Sequence, residues 1–289
     1  MLTLKQYIIN ADQKHTAIGH FNISNLEGLK AVFTVAQRLR VPIIIGTSEK
    51  ERAYIGVKQC VALIRSLREE FNYPIFLNAD HTYSFQKVKE AVDAGYDAVI
   101  FDGAKLSLGD NIRETKKSVE YAKSVNPNIV VEGELGYIGS SSKLLDSMPG
   151  DVNVQKAALT RSDEAAQFVK ETGVDCLAPA VGNIHGMLKY SKNPEIDIDL
   201  VKEIREKTGV PLVLHGGSGI PDYSFKRAIL VGISVIHINT ELRVAFRNTL
   251  ENSLVNNPNE IAPYSYMENP IYEMEKIVED KLKVFTTAG

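Results

Sequence analysis

Apolar and polar positions along the chain repeat one unit: an amphipathic stretch with helical spacing, a glycine or short turn, then a short apolar run ending in polar residues. The clearest copies lead from Ala91-Val92-Asp93-Ala94-Gly95 into Ala98-Val99-Ile100-Phe101-Asp102, and from Lys170-Glu171-Thr172-Gly173 into Asp175-Cys176-Leu177-Ala178. A third leads from Glu206-Lys207-Thr208-Gly209 into Pro211-Leu212-Val213-Leu214-His215, and a fourth from Leu230-Val231-Gly232 into Ser234-Val235-Ile236-His237. Each glycine suits the left-handed backbone that ends a helix. Runs at Ile18-Gly19-His20-Phe21-Asn22, Pro42-Ile43-Ile44-Ile45, Pro74-Ile75-Phe76-Leu77 and Ile129-Val130-Val131-Glu132 bring the count to eight. Strands this apolar are covered by helices on the outside, as in a parallel sheet. Eight such units in about 250 residues predict a closed (β/α)8 TIM barrel, with the whole chain, 1–289, as one domain. An open doubly wound sheet would carry a nucleotide loop after an early strand, and neither Gly-x-Gly-x-x-Gly nor a Walker pattern occurs.

Two segments break the rhythm. The stretch 139–151 is polar, rich in turn formers and long for a barrel connection, so it reads either as a lid over a site or as a surface loop. The segment 240–289 reads as additional C-terminal helices around Pro263-Tyr264-Ser265-Tyr266, able to cover the barrel or to meet a neighbouring subunit.

Composition narrows the class. No apolar run approaches the roughly 18 residues of a membrane span, and Met1-Leu2-Thr3-Leu4-Lys5 lacks a secretory pattern, so a cytoplasmic protein without membrane contact is expected. Cys60 and Cys176 form no Cys-x-x-Cys pair, which argues against a disulfide framework or thiolate metal site. A net charge of −3, from 33 basic and 36 acidic residues without long blocks, argues against a nucleic-acid surface.

In a barrel of this kind the strand ends share one face, where active sites lie. Those ends carry Asn22, Ser48, Glu49, Asp80, His81, Asp102, Glu132, Glu134, His185, His215, His237 and Asn239, so four of the chain's six histidines fall on that face. Three imidazoles with an open position suit a catalytic Zn²⁺. The expected ligands are His81, His185 and His215, each beside a loop glycine or an acid, with Glu134 as a fourth or exchangeable ligand. His185-Gly186 and His215-Gly216-Gly217-Ser218-Gly219 set ligands beside backbone that can approach phosphate oxygens closely. Lys189, Ser218 and Asn239-Thr240-Glu241 add donors near the last strands, where this fold often binds phosphate.

With these residues assembled, the chain resembles the class II, zinc-dependent fructose-bisphosphate and tagatose-bisphosphate aldolases over nearly its full length. The resemblance rests on Ala79-Asp80-His81, Phe101-Asp102-Gly103, Glu132-Gly133-Glu134-Leu135-Gly136, Gly182-Asn183-Ile184-His185-Gly186, Leu214-His215-Gly216-Gly217-Ser218-Gly219-Ile220 and Ile238-Asn239-Thr240-Glu241-Leu242-Arg243. It implies zinc on His81, His185 and His215, with Glu134 and Asp102 as alternative ligands, and Asp80 as the acid and base at the reacting hydroxyl. It also implies a phosphate cradle of Gly186, Lys189, Gly216, Ser218 and Thr240, with Na⁺ or K⁺ beside it. The implied substrates are a phosphorylated ketose and triose phosphates, and the implied assembly is a homodimer or homotetramer. A lysine Schiff base is not required.

The sequence departs from the family pattern twice. His237 stands where asparagine usually contacts the dihydroxyacetone portion; it either keeps that contact, tunes the enediolate or admits another substrate, including that of a metal-dependent epimerase or isomerase. Ser140-Ser141-Ser142 stand where the lid usually carries glycine and acidic residues, leaving Asp146 and Asp151 as the nearby carboxylates. For a distant second phosphate, Arg52 is the basic candidate, its alternative reading being an exposed helix arginine.

Overall fold

All eight apolar runs are strands in the computed structural model, which describes residues 2–139, 142–148, 150 and 159–287. The strands are β1 (Ile18–Asn22), β2 (Ile43–Thr47), β3 (Ile75–Thr82), β4 (Ala98–Phe101) and β5 (Val130–Leu135), then β7 (Cys176–Pro179), β9 (Leu212–Leu214) and β10 (Ile233–Ile238). They pair in parallel in the order β1-β10-β9-β7-β5-β4-β3-β2 and close into a barrel. Two further two-residue strands, β6 (Leu144–Leu145) and β8 (Met187–Leu188), pair with each other above the strand ends.

Helices α2 (Leu26–Leu39), α3 (Glu49–Ile55), α4 (Val57–Phe71), α5 (Phe85–Ala94), α6 (Leu108–Val125), α7 (Ser162–Thr172), α8 (Ile198–Thr208) and α9 (Asp222–Leu230) connect successive barrel strands. Their punctuation is local chemistry. Asn25, Ser84, Ser107 and Asp197 cap the starts of α2, α5, α6 and α8 with side-chain oxygens, and Gly95, Gly173 and Gly209 end α5, α7 and α8 in the left-handed region.

The C-terminal segment forms α10 (Thr240–Asn256), the single turn α11 (Pro263–Tyr266) and α12 (Glu268–Thr286). Its last helix is not a surplus. Met274, Val278, Leu282 and Phe285 of α12 are buried, and the helix packs between α2 and α9, completing the outer ring. By contrast α10 buries only Thr240, Leu242 and Ser253. No helix among the described residues is long and apolar enough to cross a membrane.

The barrel interior has a floor and a working end. Ile18, Ile44, Phe76, Val130, Val213 and Val235 form an apolar cluster sealed by Leu4, Ile8 and Ala11 of the N-terminal helix α1 (Leu4–Gln13). Side chains two residues apart on a strand share a face, so the next inward positions on these strands lie one layer higher. They are His20, Asn78, Glu132, His215 and His237, and above them stand Asn22, Asp80 and Glu134.

Candidate active site

A cavity of about 730 Å³ opens over the strand ends and is lined by Asn22, Asp80, His81, Asp102, Glu134, His185 and His237, among others. Gly186, Gly216, Ser218, Asn239 and Thr240 line it as well. Its size suits a small phosphorylated metabolite.

Asp80 and His81 are neighbours, and an uninterrupted strand would aim them to opposite faces. The β3–β4 register shifts between Ala79 and Thr82, and His81 takes a left-handed φ of 41°, so both side chains reach the cavity. Arg52 holds this irregularity. Only 2% exposed, it donates from one guanidinium nitrogen to the carbonyls of Thr47 and Asp80 at 2.8 and 2.9 Å, and from another to Thr82 Oγ1 at 2.8 Å. The residue raised as a phosphate ligand or an exposed helix arginine is instead a buried clasp beneath the acid.

His81, Glu134, His185 and His215 place potential ligand atoms within 4.8 Å of one another. Glu134 Oε2 is buried, 3.3 Å from His81 Nδ1 and without a hydrogen bond among the described residues, a costly state that a cation would relieve. Burial pushes the His185 pKa far down, and the neighbouring His81 and His215 add to this, so its ring is a neutral donor. Burial alone would lower the His81 pKa, but Asp80, Glu134 and Asp102 outweigh it and hold it well above the ordinary value. Asp102 Oδ2 lies 2.8 Å from His81 Nδ1, and Glu132 Oε1 lies 2.7 Å from His215 Nε2. These carboxylates orient the rings from behind, as partners of metal-bound histidines do. The donor set fits a divalent metal.

A second trio, His20, Asp80 and His237, is equally close but reads differently. The His20 and His237 rings are parallel within 3°, with centroids 3.4 Å apart. In-plane lone pairs of two stacked rings cannot converge on one ion, so this is a stacked pair rather than a second metal centre.

Asp80 is 3% exposed; Asn22 Nδ2 donates to its Oδ2 at 2.8 Å, while its Oδ1 has no hydrogen bond among the described residues and lies 3.4 Å from His237 Nδ1. Burial would raise its pKa, but His81, His237 and His20 hold it well below the carboxylate range, so it is ionised and open on one side.

Around the two glycine loops, Asn193 donates to the carbonyls of both Gly186 and Ser218 at 2.9 Å, and Asn183 donates to the His215 carbonyl at 3.0 Å. Gly216 has a φ of 63°, and a Cβ there would lie 2.2 Å from the Ile184 carbonyl oxygen, so only glycine lets the loops meet. Ser218 Oγ accepts from the Asn239 and Glu241 amides at the start of α10, at 3.3 and 3.2 Å. Lys189 stands outside the cavity lining, paired with Asp146 at 2.8 Å. Ser142 lines the cavity, whereas Ser140, Ser141 and Asp151 lie outside the described residues.

The family model for "Fructose-bisphosphate aldolase class-II" matches residues 2–289. The chain belongs to this family. A fructose-bisphosphate aldolase of Geobacillus stearothermophilus is 35% identical over 292 residues, covering 100% of this chain and 98% of the relative. A 6-phospho-5-dehydro-2-deoxy-D-gluconate aldolase of Halalkalibacterium halodurans is 34% identical over 293 residues, covering 100% and 97%. The crystal structure of the YdjI aldolase from Escherichia coli K12 superposes with a TM-score of 0.83 at 30% identity, over 100% of this chain and 99% of that one. The protein is thus a class II aldolase, a lyase on a (β/α)8 barrel.

Four residues not singled out among the strand ends lie behind this class II aldolase site: His20, Asn78, Asn183 and Asn193. Spacing places three of them near the site without giving their partners, and Asn193 carries no such signal. His20 and Asn78 sit at even spacing below the polar strand ends of Asn22 and Asp80, and Asn183 lies within the quoted His185 motif.

Proposed function

We propose that the chain catalyses reversible, zinc-dependent aldol cleavage of fructose 1,6-bisphosphate to dihydroxyacetone phosphate and glyceraldehyde 3-phosphate. The observation that carries this reading is the ionised, half-open Asp80 beside a four-donor cluster, three of whose members, His81, Glu134 and His185, line the cavity. Asp80 Oδ1 takes the proton of the C4 hydroxyl; the C4–O bond becomes a carbonyl, the C3–C4 bond breaks, and its electron pair stays on C3. The three-carbon fragment then takes up a proton from water at C3 and leaves as dihydroxyacetone phosphate, while Asp80 returns its proton to solvent. A Zn²⁺ held by His81, His185 and His215, with Glu134 as exchangeable ligand and Asp102 behind His81, would polarise the ketone and stabilise the enediolate charge.

Gly186, Gly216, Ser218 and Thr240 would hold the phosphate with backbone and hydroxyl donors, Lys189 joining them on release from Asp146, and Na⁺ or K⁺ would sit by the loop carbonyls. His237 and Asn239 would contact the dihydroxyacetone portion. The proposed setting is a cytoplasmic homodimer or homotetramer built from one domain per chain.

A second reading has the Halalkalibacterium halodurans relative in its favour, nearly as similar as the first and named for a phosphorylated keto acid. The chemistry is shared; only the aldehyde half changes. The deciding experiment supplies the metal-loaded protein with fructose 1,6-bisphosphate, tagatose 1,6-bisphosphate and 6-phospho-5-dehydro-2-deoxygluconate, following triose-phosphate release. The highest kcat/KM is expected on fructose 1,6-bisphosphate; a preference for either other substrate replaces the substrate, and cleavage of none overturns the reading.

A further inference from the structure

His20 is fully buried and absent from the cavity lining, yet it lies against the residue that borders the reacting acid. It is the β1 register partner of His237 on β10, so both rings enter the barrel side by side. Their stack continues onto His215, whose ring lies 4.1 Å from that of His237 at an interplanar angle of 22°. The column therefore runs from an invisible histidine, through one that touches the cavity, to one of the metal-binding cluster.

Three features make His20 the anchor of this column. Its Nε2 lies 3.1 Å from Asn78 Nδ2, two residues before Asp80 on β3, so the ring is tied to the strand that carries the acid. β2 leaves a slot for it: a Cβ on Gly46 would lie 2.1 Å from His20 Cε1. Burial also pushes the His20 pKa down to about 4, so the ring is neutral and stacks without charge repulsion.

His237 has no comparable hold. Neither of its nitrogens has a hydrogen bond among the described residues, although both are buried, and Nδ1 lies 3.4 Å from Asp80 Oδ1. An imidazole so placed could turn over, exchanging the nitrogen and carbon edges it shows to the cavity. His20 and His215 lie against its two faces and leave it no room to rotate, which keeps Nδ1 beside Asp80 Oδ1.

We propose that His20 is a positioning residue for the reaction: it clamps the His237 ring in the column so that Nδ1 stays against Asp80 Oδ1, the oxygen that takes the proton. This rests on the aldolase reading for its kinetic consequence but not for its spectroscopic one.

The test uses the metal-loaded full-length protein and compares His20→Phe, which keeps a stacking ring, with His20→Gln, which keeps a polar atom toward Asn78 but has no ring. Ring ¹H–¹⁵N spectra of His237 report its tautomer and its ring-current shift directly. The expected result is that His20→Phe keeps both the His237 signals and kcat within about threefold. His20→Gln should lose the shift, and kcat should fall by about 10- to 100-fold with metal content and KM little changed, the scale of a small misplacement at a reacting centre. If the phenyl ring is not accommodated, Asn78→Ala, which unties His20 while leaving it in place, should broaden the same signals. Unchanged His237 signals in His20→Gln overturn the proposal, as does loss of activity in both variants in step with loss of thermal stability. Should none of the candidate sugars be cleaved, the reaction reading fails while the spectra still decide the clamp.

Discussion

The floor and the working end of the barrel interior are built from the same strands at the same two-residue spacing, yet they are held in opposite ways. At the floor, Phe76, Val130, Val213 and Val235 pack against one another and against α1, and each contact is non-directional. Two residues further along, Asn78, Glu132, His215 and His237 are equally buried but depend on directed partners or on stacking. At the top, Glu134 and Asp80 keep buried oxygens without a hydrogen bond among the described residues. Apolar filling stabilises the barrel; the polar layers draw on that stability and leave part of their bonding capacity to a metal and a substrate.

The sharpest way to separate the two regions is to remove one residue from each. Asp80→Ala should lower kcat by about 10²- to 10⁴-fold, the range for loss of a general acid-base group. Its thermal unfolding should move down only modestly, because Asn22 and the histidines around the carboxylate lose a partner while the apolar floor is untouched. Phe76→Ala, four residues earlier on β3, should do the reverse. It opens a cavity in the floor and should cost about 3–5 kcal/mol in denaturant unfolding, while the residual folded enzyme keeps its KM.

An intermediate effect is expected one layer down. Glu132→Gln removes the charge that orients His215 from behind, and metal affinity by competition titration should weaken by about 10- to 100-fold with little change in melting of the metal-free protein. The acidity of the cluster gives a related trend. In the metal-free protein His81 holds its proton well above the usual imidazole range, because Asp80, Glu134 and Asp102 outweigh its burial. A metal must displace that proton, so affinity should fall as pH falls below the raised His81 pKa, by about tenfold per unit for each proton displaced. A pH-independent affinity would show that His81 is not a ligand.

The smallest change should come at the rim. Lys189 is bound to Asp146 outside the cavity lining, and exposed pairs of this kind are worth about 0–1 kcal/mol. Lys189→Met should therefore raise KM by only about fivefold, as loss of one exposed phosphate contact would; an unchanged KM would mean that Lys189 stays with Asp146.

The barrel was legible because its rules are periodic. Apolar runs, glycine helix ends and polar strand ends each mark a position without reference to a distant residue, and all eight strands fell where those runs predicted. The strand ends likewise named Asp80, His81, Glu134 and His215 before any geometry was known. What the sequence hid depends on contacts between segments far apart. Nothing near Arg52 announces that it reaches the Asp80 carbonyl, and a strict strand alternation would have turned His81 away from the cavity. His20 reads as one residue of an apolar strand until β10 is laid beside β1 and brings His237 against it. The role of α12 was hidden for the same reason, since its apolar face gives no sign that α2 and α9 leave a gap for it.

A stoichiometric titration tests whether the polar end of the barrel is a metal-dependent aldol site. Metal-stripped protein is titrated with Zn²⁺ while fructose 1,6-bisphosphate cleavage is followed. Activity should be negligible at the start, rise linearly and level at about one equivalent per chain, as four convergent donors around one ion require; a His81→Ala, His215→Ala double variant should stay flat. Full activity in the stripped protein, or a plateau unaffected by the double variant, would contradict it.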